Sequence, residues 1–257
     1  MALIFILALL AGDDKAVTDA LEKFKTDYKA AKETDAKVKV IEELAELQND
    51  KITAKLASLF TAEEKGVRIA AAKALGNRTD EKDKKKAALA LSSVLKPNEK
   101  FPDVQTAILE AIAKLGDETA LPEVHKLLES EAEGIAVAAV STEGAVRSRT
   151  SFDPLIKRLK EADEVLKPRD QQPQAGGGKG GLGGFGGGRM LGGPAGTQNG
   201  LNGTSQLTPK ERRDLAKAVQ TAIMKLLADW TGTHCQDGKD WESWWKEHQT
   251  TFKFAKS

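Results

Sequence analysis

The chain is poor in the side chains that most often carry chemistry. Among its 257 residues there is one cysteine, Cys235, with three histidines (His125, His234 and His248) and one tyrosine, Tyr28. A single thiol excludes an intrachain disulfide, a multi-cysteine metal site and a CxxC redox pair, and it leaves the redox compartment open. Charge is equally unhelpful. The 39 Lys and Arg nearly cancel the 38 Asp and Glu, and the net +1 gives no general drive toward nucleic acid, an anionic membrane or acidic substrates. Aromatics make up 5% of the chain, and no apolar run reaches the roughly 20 residues that a membrane-spanning helix needs. The apolar 40% is still enough, over this length, to bury a core for one or two domains.

A short apolar run does open the chain. Met1 to Ala11 reads MALIFILALLA and meets Gly12, Asp13, Asp14 and Lys15 abruptly. Its length fits the apolar region of a signal peptide over residues 1–12, so a secreted, periplasmic or cell-envelope location is expected. Two features depart from that pattern: no Lys or Arg precedes the run, and cleavage after Ala11 leaves Leu9 at the −3 position. The alternative is an apolar N-terminal strand or helix docked on the fold. No Cys follows the run, which removes a lipid-attachment reading.

From Asp14 to about Leu166 the apolar periodicity is helical throughout, and no stretch alternates long enough for a strand. Val17, Leu21, Phe24, Tyr28 and Ala31 form one stripe of a first helix, with Lys and Asp opposite. A motif then recurs around Val38, Val67, Val104 and Ile135, at steps of 29, 37 and 31 residues, which is room for two short helices and two turns each. Helices rich in small residues (Ala70, Ala71, Ala72 and Ala74) alternate with Leu-rich ones such as Leu121, Val124, Leu127 and Leu128. The fold class expected is all-α, a superhelical solenoid of antiparallel helix pairs in which burial is shared between neighbours. Gly76 and Gly116 suit positions just past helix ends, and Pro122 and Pro154 suit helix starts.

Over roughly residues 36 to 166 the chain resembles the HEAT-repeat family, including its shorter bacterial, bilin-lyase-like relatives. The resemblance is carried by Val67-Arg68 with Ala70 to Ala72, Ala74, Leu75 and Gly76, and by Leu115-Gly116-Asp117, Ala120-Leu121-Pro122 and Leu127-Leu128. The fourth unit departs from it, with Thr142-Glu143 where Ala74-Leu75 stand in the second. The resemblance implies a curved helical surface presented to a protein partner. No catalytic motif carries over with it.

Residues 171–206 hold 15 of the 23 glycines and few large apolar side chains, the composition of a flexible linker spanning about 30–36 Å between an array over 13–170 and a C-terminal module over 207–257. Gly176-Gly-Gly-Lys179 is not a phosphate loop, because Gly rather than Ser or Thr follows the Lys and neither strand nor helix flanks it. Thr208-Pro209-Lys-Glu211 then forms a capping box. The helix that follows carries Leu215, Val219, Ala222, Ile223, Leu226 and Trp230 on one face and ends at Gly232. Asp240 is positioned to cap a last helix bearing Trp241, Trp244 and Trp245. With Phe252 and Phe254, this segment is similar to the tail of certain exported bacterial HEAT-repeat proteins.

Two groups stand out as candidate partner-binding residues. Trp241, Trp244 and Trp245 are either an aromatic platform for a sugar ring or a partner, or the core of a small module that has few other large side chains. Lys84, Lys85 and Lys86, with Lys82, open a helix where the dipole disfavours positive charge, so Asp80, Glu81 and Asp83 are expected to compensate unless an acidic partner does. Arg147, Arg149, Lys157, Arg158 and Lys160 lack interleaved aromatics and do not form a nucleic-acid site. His125 and His248 are expected at the surface or an edge, and His234 with Cys235 makes no metal or nucleophile pair. The functional expectation is a non-enzymatic scaffold without cofactor, metal, nucleic acid or integral membrane span. Its alternative is an envelope carbohydrate or ligand-binding protein that uses the Trp cluster.

Overall fold

The computed structural model describes residues 14–62, 64–168 and 207–254. Among these residues there are eleven α-helices and no strand, so the all-α expectation holds. The signal-peptide segment and the glycine-rich linker lie outside the described residues.

The first helix, α1 (Asp14–Ala30), buries Val17 and Phe24, with Tyr28 stacked on Phe24 at 5.2 Å. Four pairs follow. The first is α2 (Thr34–Ala45) with α3 (Asp50–Ser58), and the second is α4 (Lys65–Leu75) with α5 (Glu81–Leu95). The third is α6 (Pro102–Leu115) with α7 (Leu121–Leu127), and the fourth is α8 (Glu133–Val146) with α9 (Phe152–Leu166). The first members stack on one another in the order α2, α4, α6, α8, while α3, α5 and α7 line up beside them. Each second helix also packs on the first helix of the next pair. Burial is therefore continuous along the stack, as repeat architecture requires.

Small residues let the first layer close up. In α4, Ala71, Ala72 and Leu75 are fully enclosed and Ala70 and Ala74 nearly so. Gly76 has a right-handed φ of −63°, not the left-handed turn expected of a glycine just past a helix end. Its constraint is contact: a Cβ there would lie 2.9 Å from the backbone Cα of Ala111 in α6. Gly116 does adopt the left-handed conformation, φ 67°, and ends α6 as expected. Between pairs, the enclosed Arg78 donates to the carbonyls of Leu47 (2.6 Å) and Ala45 (3.0 Å), satisfying the C-terminal end of α2.

The C-terminal helices continue this arrangement. The helix α10 (Pro209–Thr231) starts at the capping box of Thr208 and Glu211 and ends at Gly232 with φ 70°. It packs on α8 and α9, while α11 (Gly238–His248) packs on α9, so the two occupy the first-layer and second-layer positions of a fifth pair. The cap of α11 is Asp237, which accepts from the backbone N–H groups of Lys239 and Asp240, and not Asp240. Starting the helix earlier brings Gly238 against α9, where its N–H donates to Asp163 Oδ2 at 2.7 Å and a Cβ would stand 2.9 Å from Lys160 N.

Gly76→Leu should cost about 1–3 kcal/mol through overpacking between α4 and α6. Thermal unfolding followed by circular dichroism checks this; an unchanged midpoint would show that the two helices separate freely.

Candidate protein-interaction surface

The aromatic cluster is centred on a residue of the array. Phe152, the first residue of α9, is fully buried and lies parallel to Trp245 with ring centroids 4.0 Å apart. Trp230 lies 5.2 Å from it and Phe252 stands edge-on at 4.9 Å. Trp241 is fully enclosed and Trp245 is 6% exposed, so neither presents a face to a sugar ring. Trp244 is half-buried and stacks on His248 at 4.4 Å. Neither buried indole N–H, Trp241 Nε1 or Trp245 Nε1, meets an acceptor among the described residues, so packing and not hydrogen bonding holds these rings. The structure thus brings the three Trp together on one short helix and turns two of them into the seam between the fourth and fifth pairs.

Polar contacts close the same seam. Asp163 of α9 accepts from Gln220 of α10 at 2.7 Å as well as from Gly238, and Lys160 pairs with Glu242 of α11 at 2.9 Å. A groove of about 680 Å³ runs between α9 and α11, lined by both signs of charge, including Lys157, Glu161, Lys239 and Lys246. Its charges largely neutralise one another, which gives no preference for an ionic ligand.

The basic helix start at α5 lies far along the stack from the Trp cluster. Lys84 pairs with Glu81 at 2.9 Å, as local compensation requires. Lys82 and Lys86 instead reach Asp50 of α3, a partner 32 or more residues away that the local pattern does not reveal. Lys85 is exposed. Beneath them Asp83 is buried. Burial, and then the adjacent Asp50 carboxylate, push its pKa up to about 6. Asp50 is held well below the carboxylate range, chiefly by Lys86.

One polar cluster escaped the sequence pattern. Glu143 of α8 is fully buried; Ser151 Oγ donates to its Oε2, and His125 Nε2 of α7 lies 3.3 Å from its Oε1. The signal was the Thr142-Glu143 departure in the fourth unit, since Thr142 also bonds across to the Leu109 carbonyl of α6 at 3.2 Å. His125 is therefore an inter-pair contact, not simply a surface residue. The hydroxyl here is bonded to a carboxylate, not to the imidazole, and Ser151 is enclosed, so the trio lacks a base–nucleophile pair open to substrate. Burial, with Asp240 and Asp237 nearby, pushes the Cys235 thiol up, which disfavours the reactive thiolate. No group of His, Cys, Asp and Glu among the described residues is placed to hold a metal ion, and no described helix is long and apolar enough to cross a membrane.

At the opposite end of the stack, α1 and α2 leave a groove of about 560 Å³ between them, with an apolar floor and a charged rim. Its apolar lining is formed by Ala16, Ala20 and Phe24 facing Val40, Leu44 and Leu47.

Residues 88–168, which span the end of the second pair and all of the third and fourth, match the family model for HEAT repeats. No curated protein matches the chain.

Phe152→Ala should cost about 3–5 kcal/mol and shift Trp emission to longer wavelength; a loss under 1 kcal/mol with unchanged emission would show that the tail does not depend on this ring. Asp83 binds its proton more tightly folded than unfolded, so its contribution to stability falls as pH rises from about 4 to 6. Asp83→Asn should remove that component, so the melting temperature at pH 6.5 minus that at pH 4 should be more positive than in the wild-type chain; an unchanged difference would contradict it.

Proposed function

From the HEAT repeats over residues 88–168, we propose that this chain is a non-enzymatic protein-interaction scaffold that works outside the cytoplasm. The observation that carries the reading is the unbroken stack of helix pairs, α2 to α11, whose apolar side chains face inward between neighbours while charged residues cover both layers. Such an array offers a long, rigid, chemically varied surface, and HEAT repeats generally mediate contacts between proteins. The non-enzymatic part is supported by the chemistry of the reactive groups: Ser151 is enclosed on Glu143, and Cys235 is held toward its neutral form. The location is supported by the apolar run of residues 1–11.

The test is capture by full-length chain immobilised through a tag, from both envelope and cytoplasmic fractions, with mass spectrometry. The reading predicts a discrete, reproducible partner set from the envelope fraction, reduced at least tenfold when exposed charges on the helix layers are reversed. Capture only from the cytoplasmic fraction would contradict the location. A hydrolase or lyase activity lost on changing His234 or Cys235 would contradict the non-enzymatic reading.

A further inference from the structure

We propose that the groove between α1 and α2 is a docking site for an amphipathic helix of a partner protein, seated by an apolar stripe and flanked by basic residues. The inference rests on the scaffold reading and names the partner chemistry at one place on its surface.

Repeat geometry defines the occupant's shape. Within the stack, α4 lies against α5 of its own pair and against α6, the first helix of the next. The helix α1 packs on α2 and α3 as a second-layer helix does, yet it has no first-layer helix of its own among the described residues. The groove bounded by α1 and α2 is the place such a helix would take, and no described residue fills it. Its lining recurs at helical spacing on both walls, Ala16, Ala20 and Phe24 on α1 and Val40, Leu44 and Leu47 on α2, so the complementary surface is one face of a helix. From Ala16 to Phe24 the groove runs about 12 Å, a little over two helical turns. The equivalent positions α4, α6 and α8 hold helices of 11 to 14 residues.

The rim sets the charge. Asp19, Glu43 and Glu46 line it with a single cation, Lys23, which is held by Asp27 and Glu43, each at 2.8 Å. The surplus is acidic, and it faces the flanks of whatever helix lies on the apolar floor, where Lys or Arg pairs with it and steers association. The chain's own run MALIFILALLA is a poor occupant. It is apolar on every face, so seating one side would leave the others against water and would place no cation beside Asp19 or Glu46.

The test uses full-length chain and a fluorescein-labelled 14-residue helical peptide with Leu and Ala at i, i+3, i+4 and i+7 and Lys on both flanks. A second peptide has the same apolar face and Glu flanks. Anisotropy should show saturable binding of the Lys peptide, at least tenfold weaker for the Glu peptide and at least tenfold weaker for the Ala20→Arg and Val40→Lys variants, with both variants melting within a few degrees of the parent chain. Equal binding by the variants, equal binding of both peptides, or no saturable binding would overturn the proposal. A photo-crosslinking side chain at position 16 identifies the occupant: an adduct with the Lys peptide supports the proposal. An adduct with residues 1–13 of the same chain, or with a second copy, overturns it. Partner capture that persists with Ala20→Arg and Val40→Lys would fault the groove alone, whereas absence of any captured partner with the parent chain would fault the scaffold reading.

Discussion

Everything in this molecule depends on how closely the first-layer helices approach one another. Three of their contacts close on a glycine: Gly66 against Thr34, Gly76 against the backbone of Ala111, and Gly144 against Leu226, where an added Cβ would come within 2.6 to 2.9 Å of the facing atom. At these points the absence of a side chain lets α4 approach α2 and α6 and lets α8 approach α10. Once that layer is fixed, the larger residues of the second layer, such as Leu91, Val124 and Leu159, are fully buried against it. Of the polar groups that enter the interior, Arg78 and Glu143 each reach a neighbouring pair, so they act on register more than on bulk stability.

A stack built this way must end, and the two ends do so differently. Among the described residues the last pair has a neighbour on one side only, and large aromatic side chains compensate: Trp230 and Trp245 with Phe252 and Phe254 gather around Phe152. The outward face of α11 is then free to be polar, with Lys239, Asp240, Ser243 and Glu247 exposed, as a capping repeat requires. At the N-terminal end, among the described residues, a single second-layer helix, α1, packs on α2 and leaves apolar side chains at the floor of the groove between them.

Much of this was legible in the sequence because helix pairing rests on local periodicity. The small-residue motif near Val38, Val67, Val104 and Ile135 marks the first layer, and Thr208 to Glu211 and Gly232 bound α10 as the capping rules require. What stayed hidden depends on distant contacts. The place of α10 and α11 in the stack was obscured because 36 residues of glycine-rich chain interrupt the repeat period, and because Phe152 meets its Trp partners about 80 to 90 positions further along. Gly76 could not be told from an ordinary helix-ending glycine, since close approach to Ala111 leaves no local mark. Asp50, which binds Lys82 and Lys86 from another helix, was invisible for the same reason. The match to HEAT repeats over residues 88–168 overlaps the later part of the stretch, 36 to 166, where the sequence resembles that family.

The helices α10 and α11 form a fifth pair of one continuous array with α2 to α9. Native-state hydrogen exchange of the full chain, resolved by peptide mass spectrometry, tests it directly. If the seam through Phe152, Asp163 and Gly144 is as described, the amides of α10 and α11 exchange with the same opening free energy as those of α8 and α9, and all four lose protection together in denaturant. Protection of α10 and α11 that is lost well before that of α8 and α9, with the latter unaffected, would contradict it and make the C-terminal helices a separate module.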